Sequence, residues 1–227
     1  MTTAQQRLHH ALDALDSAGT ARPGPPVHGC EHCWTAEEFT LLAGPPALLP
    51  DRLLQSAAAK SADLWDDFPA LYRRLTPVVL RKLTTGRSIV EGWVVGTRLA
   101  TAGWRDWPEA ELIGDVLDAW WAATLDRPAP SPGVLETLET AAVATGTITP
   151  WLRAWADTAT RTADRHLADA VDGWLHDRLT DLRFGLHGEL EVGSELTAWL
   201  LALPTERIGA DRRKSLECLN ALHDAAT

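Results

Sequence analysis

Apolar residues recur every three or four positions along most of this chain, the spacing that places them on one face of an α-helix. The clearest example opens at 107–109, with proline and acidic residues in its first turn, and its apolar stripe runs from Leu112 to Leu125. The periodicity predicts helices over about residues 3–17, 35–43, 50–64, 66–84, 107–125, 135–143, 150–182 with one break, 189–203 and 205–224.

Glycine and proline mark the ends of most of these segments. Thr35 and Glu38 match the capping-box pattern, so a helix is expected to begin directly after Trp34. Pro77 lies inside the segment 66–84, and we expect it to kink or divide that helix because proline cannot donate a backbone hydrogen bond.

The segment 88–95 is rich in β-branched residues and glycine, a composition that favours a strand. No second convincing strand accompanies it in the sequence, and a lone strand is not stable. We therefore predict a loop that runs into a helix ending near Gly103.

These segments predict an all-α fold of about nine or ten helices, arranged as an irregular multi-helix bundle or a short stack of helical hairpins. We find no fixed-period repeat of the kind that predicts a solenoid. The length of 227 residues is sufficient for a large core, and we predict a single helical domain over 1–227. The proline-rich segment 127–133 is the candidate subdomain boundary.

Composition and charge limit the classes of binding partner that we expect. The net charge is −10 and the basic residues form no long stripe, so we expect neither nucleic acid nor an anionic membrane as a partner. No apolar run reaches the roughly 20 residues of a membrane-spanning helix, and the N-terminus lacks the order of a secretion signal. We therefore expect a cytoplasmic protein. Its eleven tryptophans are expected to supply core volume that phenylalanine supplies elsewhere.

The segment 28–33, which reads HGCEHC, contains residues that bind soft metal ions. The C-x-x-C spacing lets two thiolates reach one tetrahedral ion from a tight turn. We predict that zinc binds here, with His28, Cys30 and Cys33 as ligands. The sequence does not place a fourth ligand; the candidates are Cys218, His223, His9 and His10.

The same segment has two other interpretations. A redox site needs a thiol of low pKa at a helix N-terminus, and Cys33 does lie just before Thr35. Thioredoxin-like enzymes place this motif after a strand, however, and no strand is predicted here. In the third interpretation these residues are ordinary side chains in a turn.

Other groups of residues are better explained by structure than by chemistry. Asp169, Asp172 and His176 share one helical face, but flanking arginines indicate a solvated, ion-paired surface. The pair at 66–67 matches helix capping by aspartate. Tryptophan pairs at helical spacing can line an aromatic pocket, although they more often belong to a core. The pairs are Trp104/Trp107 and Trp120/Trp121.

Three passages carry a family resemblance. They are the C-x-x-C at 28–33, a Trp-acid-Phe stretch at 65–68 that leads into a helix containing Pro77, and a W-x-x-W-P-x-x-E segment at 104–111. Together they resemble an uncharacterised family of bacterial all-helical proteins, over about residues 28–203. The chain departs from that pattern where a glycine is expected after the first tryptophan and a basic residue after Pro77. The resemblance implies a helical fold and no particular activity.

We predict a non-catalytic accessory or protein-interaction protein whose N-terminal loop is pinned by zinc and whose helix faces contact a protein partner. The alternative is a small helical enzyme or small-molecule-binding protein that uses a Trp-lined pocket. The sequence contains no nucleophile elbow, P-loop or dinucleotide fingerprint, and it identifies no substrate.

Overall fold

The computed structural model describes residues 1–19, 26–88, 90–176 and 179–224. Within these ranges the chain forms twelve α-helices and a two-stranded antiparallel sheet. The helices are α1 (Thr3–Gly19), α2 (Ala36–Ala43), α3 (Asp51–Ala59), α4 (Phe68–Thr84), α5 (Gly92–Thr101), α6 (Ala110–Asp126), α7 (Val134–Thr145), α8 (Thr149–Asp157), α9 (Arg161–His176), α10 (Gly193–Ala202), α11 (Thr205–Ile208) and α12 (Ala210–Asp224). The strands are β1 (Arg183–Phe184) and β2 (Leu190–Glu191), and short 3₁₀ turns cover Pro46–Leu48, Ala62–Leu64, Trp104–Asp106 and Leu179–Asp181.

The all-α class is confirmed, but the number of helices in the described ranges exceeds the prediction. The segment 150–182 forms α8, α9 and a 3₁₀ turn, because the Thr160 hydroxyl accepts a hydrogen bond from the amide of Ala163 and starts a new helix. The segment 205–224 is divided into α11 and α12 at Gly209, whose φ of 89° favours glycine. The predicted start of the helix at 189 was wrong, since β2 precedes α10.

Two predictions near the middle of the chain have different outcomes. Helix α4 passes through Pro77 without being divided, and the proline is buried. The predicted loop that leads into a helix is confirmed for the described part of 88–95, because α5 begins at Gly92.

The core forms where long helices pack in pairs, with α1 along α6 and α5 along α7. The second pair lies so close together that glycine is required at position 96. A Cβ atom there would lie 2.6 Å from the carbonyl oxygen of Thr140. Buried apolar side chains form one connected cluster from Leu8 in α1 to Leu216 in α12. None of the described helices has both the length and the apolar character required to cross a membrane.

Tryptophan rings contribute much of this core, as predicted from their number. Trp155 is fully buried, and its ring lies 5.3 Å from the ring of Trp121, 6.1 Å from Trp174 and 5.9 Å from Trp199, measured between centroids. These contacts connect α6, α8, α9 and α10. We call these four residues the tryptophan core.

Candidate dithiol site

The segment 28–33 is attached to the body of the protein by the segment 64–66. Gly29 and Trp65 form an isolated antiparallel β-bridge. On either side of this bridge, an amide of one segment donates to a carbonyl of the other, at 2.9 and 3.1 Å. The donors are the amides of Cys30 and Asp66, and the acceptors are the carbonyls of Leu64 and His28, respectively. We call the attached segment 28–33 the dithiol loop.

The close approach of the two segments requires glycine at position 29. A Cβ atom on Gly29 would lie 2.3 Å from the carbonyl oxygen of Leu64 and 3.2 Å from the Cα atom of Trp65. Both of these atoms belong to the backbone, so no side chain can rotate away to make room. Any larger residue would therefore force the loop away from its support.

The cysteines lie in a tight turn just before α2. The amides of Cys33 and Trp34 both donate to the carbonyl of Cys30, at 2.9 and 3.1 Å. Thr35 then caps α2: its hydroxyl accepts from the amide of Glu38 at 3.2 Å, and the Glu38 carboxylate accepts from the amide of Thr35 at 2.8 Å. The capping box predicted from the sequence is present and fixes the direction in which the loop enters the helix.

Aromatic rings lie under the loop. The rings of Trp34 and Trp65 are 4.6 Å apart at 34°, and the ring of Phe39 contacts Trp65 edge-on at 6.5 Å. Both tryptophans are buried, at 5% and 6% exposure, respectively. The dithiol loop is therefore supported by packing as well as by backbone hydrogen bonds.

The two cysteines of the loop lie three residues apart in the same turn. Cys30 is partly buried and Cys33 is exposed, and neither forms a disulfide. Each thiol acts on the pKa of the other, so the two side chains lie near one another. The turn thus brings together two of the three predicted ligands.

The pKa values of the two thiols are shifted in opposite directions. The pKa of Cys30 is lowered, first because Cys33 donates to its sulfur and then because the amides of His32 and Cys33 do so. The pKa of Cys33 is raised, first because its proton is engaged with Cys30 and then by burial. Lys60 opposes that increase through its positive charge. Cys30 is thus the thiol that ionises first.

The structure shows no complete metal site around the predicted ligands. The described residues contain no group of three or more His, Cys, Asp or Glu side chains arranged to hold a metal ion. The role of His28 as a ligand stays a prediction. His9 and His10 are exposed on α1 and Cys218 is exposed on α12, while the side chain of His223 lies outside the described part of the chain. The zinc site therefore stays a prediction, with two of its predicted ligands in one tight turn.

His28 lines a shallow pocket next to the loop. Asp66, Asp67 and Arg74 line it too, and its cavity volume is about 80 Å³. Ligand pockets for small molecules usually measure about 300–1,000 Å³, so this cavity is too small for a metabolite. Asp67 has a structural task here, since its carboxylate caps α4 by accepting from the amide of Ala70 at 3.0 Å.

The other groups considered from the sequence have structural roles. Asp172 forms a two-bond ion pair with Arg212 on α12, at 2.6 and 2.5 Å, as expected for an ion-paired helix face. Trp104, Trp120 and Trp121 are buried at 5% exposure or less. No tryptophan lines the shallow pocket. The Trp-lined pocket of the alternative hypothesis therefore gains no support from the described residues.

Sequence reasoning missed the residues that support the dithiol loop, namely Gly29, Trp34 and Trp65. The only local signals were a glycine inside the motif and a tryptophan directly after it, and neither identifies the bridge to residue 65. Comparison with protein-family models, curated proteins and solved structures finds no match. Function is therefore inferred from the geometry of this loop.

Proposed function

We propose that this chain is a non-catalytic accessory protein that binds zinc through Cys30 and Cys33 and presents its helical surface to a protein partner. The observation that carries the proposal is the pair of free cysteines, Cys30 and Cys33, in one tight turn on a loop that is already attached to the protein body. Zinc prefers thiolate ligands, and the C-x-x-C spacing suits its tetrahedral geometry.

The surroundings of the sulfur atoms support metal binding. Hydrogen bonding from the amides of His32 and Cys33 lowers the pKa of Cys30, and a thiol that ionises more readily becomes a metal ligand more readily. Each thiol loses its proton when it binds the metal, so binding is expected to weaken at low pH. The role of His28 as a further ligand stays a prediction.

The test is the metal content of purified, untagged protein after incubation with zinc sulfate and dialysis. We expect zinc to be retained by the wild type and by Cys218→Ser, and to be lost in the Cys30→Ser/Cys33→Ser double variant. Cys218 is an exposed cysteine on α12 and is therefore a matched control. We also expect zinc to raise the melting temperature of the wild type but not of the double variant. Wild-type protein that retains no zinc would overturn the proposal.

A second candidate, a reversible disulfide, is favoured by the position of the two free cysteines in one tight turn. With a small-molecule disulfide RSSR as the oxidant, Cys30 attacks one sulfur and releases one RSH, and Cys33 then attacks Cys30 and releases the second. The protein loses two hydrogen atoms and RSSR gains them. Zinc-free protein whose Cys30 and Cys33 are oxidised reversibly by glutathione disulfide would select this candidate over the first.

A further inference from the structure

Two exposed carboxylates line the shallow pocket beside the dithiol loop. They belong to Asp66 and Asp67, and the ion pairs among the described residues include neither of them. Asp67 uses its Oδ1 atom to cap α4, and its Oδ2 atom can accept from another donor. The guanidinium of Arg74 also lines the pocket, but it carries one positive charge against two negative ones. The pocket therefore favours a cationic group.

Negative charge also predominates around the pocket. Residues 26–67 contain seven acidic and two basic residues. Arg73, the neighbour of Arg74 on α4, pairs with Glu109 at 2.8 Å and is therefore engaged elsewhere. A partner that contacts this part of the surface is thus expected to be basic.

An exposed apolar segment lies next to the pocket. Leu41 in α2 is 43% exposed, and Leu48 in the following 3₁₀ turn is 79% exposed. The Nη2 atom of Arg74 donates to the carbonyls of Ala43 and Gly44, which lie between the two leucines in the chain. Because Arg74 also lines the pocket, it joins the pocket to this segment.

The segment presents its apolar surface on a stiff backbone. Residues 39–50 include no charged side chain, and Pro45 and Pro50 are exposed. Proline fixes the backbone angle φ, so little conformational entropy is lost when a partner covers the segment. Exposed apolar surface that is bordered by polar groups is typical of protein–protein interaction sites.

We infer that this surface binds a basic, amphipathic segment of a partner protein. Apolar side chains of that segment cover Leu41 and Leu48, and one arginine or lysine enters the shallow pocket and pairs with Asp66 and Asp67. The cavity volume of about 80 Å³ suits one side chain better than a small-molecule ligand. Arginine is a frequent anchor in interfaces, because its guanidinium can donate two parallel hydrogen bonds to a carboxylate. The inference rests on the protein partner proposed above and does not depend on zinc.

The experiment selects binders to the full chain from a displayed library of random peptides in the presence of EDTA, and then measures the selected peptides by fluorescence anisotropy. We expect peptides that combine leucine or phenylalanine with arginine or lysine. Asp66→Asn/Asp67→Asn should weaken their binding at least about tenfold, because charge-assisted hydrogen bonds are lost. Asparagine caps helices as well as aspartate does, so this variant keeps the start of α4. Leu48→Ser should weaken binding as well.

Each variant has a matched control. Glu111→Gln/Asp115→Asn removes two exposed negative charges from α6, and Leu222→Ser removes an exposed leucine from α12. Both controls should bind the peptides as the wild type does. Sodium chloride should weaken binding to the wild type more than binding to the aspartate variant, since salt screens the attraction that the variant lacks.

The outcomes separate this inference from the zinc proposal. Selection of acidic peptides, or of no peptide, would overturn the docking surface and leave zinc binding intact. Equal losses in the aspartate variant and its α6 control would also overturn it, because the overall charge of −10 would then explain the binding. Loss of zinc binding, measured without peptide, would leave the docking surface intact. Circular dichroism verifies that each variant folds.

Discussion

The region under the dithiol loop and the tryptophan core both depend on packed indole rings, but they differ in how the indole N–H groups are satisfied. In the core, the Nε1 atom of Trp155 donates to the carbonyl of Ala163 at 3.1 Å. Under the loop, the Nε1 atoms of Trp34 and Trp65 are buried and have no partner among the described residues. The Nε1 atom of Trp199, which belongs to the tryptophan core, also has no hydrogen-bond partner among the described residues.

This difference indicates where the fold is weaker. A buried donor without a partner costs about 1–3 kcal/mol, because it has lost its hydrogen bond to water. Two such donors lie side by side under the loop, whereas Trp155 is satisfied at the centre of the core. The loop region is therefore expected to open before the core does, and a metal ion bound to its thiols would offset part of that cost.

The largest effect is expected when the indole of Trp155 is replaced. Trp155→Phe removes ring volume and the hydrogen bond to Ala163, and we expect it to lower the free energy of unfolding by about 2–3 kcal/mol. Trp65→Phe removes similar volume but no hydrogen bond, and it also removes the cost of an unpartnered donor, so we expect a loss smaller by at least about 1 kcal/mol. Urea denaturation followed by circular dichroism measures both. Equal losses in the two variants would contradict the distinction between the regions.

A smaller effect is expected from adding a methyl group at the attachment of the loop. Gly29→Ala places a Cβ atom against the carbonyl of Leu64, and we expect a loss of about 1–3 kcal/mol together with weaker zinc binding. Gly114→Ala is the matched control, because no atom beyond the neighbouring backbone of α6 lies within 4 Å of its Cβ position. That variant should gain about 0.5–1 kcal/mol, since alanine favours the helix over glycine. A neutral result at position 29 would show that the loop is not held by the bridge.

The helices were predictable from the sequence because their burial is periodic. Long segments such as 66–84 and 107–125 repeat apolar residues over several turns, so their existence does not depend on a single residue. The number of helices was underestimated because the breaks are local. Thr160 starts α9 through one hydroxyl group, and Gly209 separates two helices through one backbone angle.

The hairpin of β1 and β2 was not predictable by the same means. Each strand has only two residues, which is too short to show any period. Its position depends on tertiary contacts instead: the amide of Gly185 donates to the carboxylate of Glu139 on α7 at 2.9 Å. Side-chain contacts of this kind link distant parts of the chain and leave no local pattern.

Only part of the candidate site was predictable, because some of its contacts join residues that are far apart in the sequence. The spacing of Cys30 and Cys33 determines that their sulfur atoms can meet, and Thr35 with Glu38 determines where α2 begins. The support of the loop depends on Trp65, which is far away in the sequence. The spacing of His28 and Cys30 leaves the direction of the imidazole undetermined, and His28 is one of the residues that line the shallow pocket.

The smallest effect tests whether the part of the protein around α7, away from the loop, also contains an unfavourable buried group. Burial raises the pKa of Glu139, and the negative charges of Glu136 and Glu189 raise it further, although the amide of Gly185 opposes them. A carboxyl whose pKa is raised in the folded state stabilises the fold when it is protonated, and that stabilisation is lost as pH rises through the folded pKa. At neutral pH the ionised side chain is therefore a source of instability.

Glu139→Gln should therefore stabilise the protein at neutral pH and have little effect under acidic conditions. The amide oxygen of glutamine can still accept from Gly185, so the contact with the hairpin is preserved. We expect a gain of less than about 1 kcal/mol at pH 7, because the carboxyl is only partly buried and solvent screens its charge. The gain should shrink as pH falls below the ordinary range of a glutamate, where Glu139 is protonated in both the folded and the unfolded state. Denaturation curves at pH 7 and pH 4 measure the difference, and a gain that is equal at both values would assign the effect to packing rather than to charge.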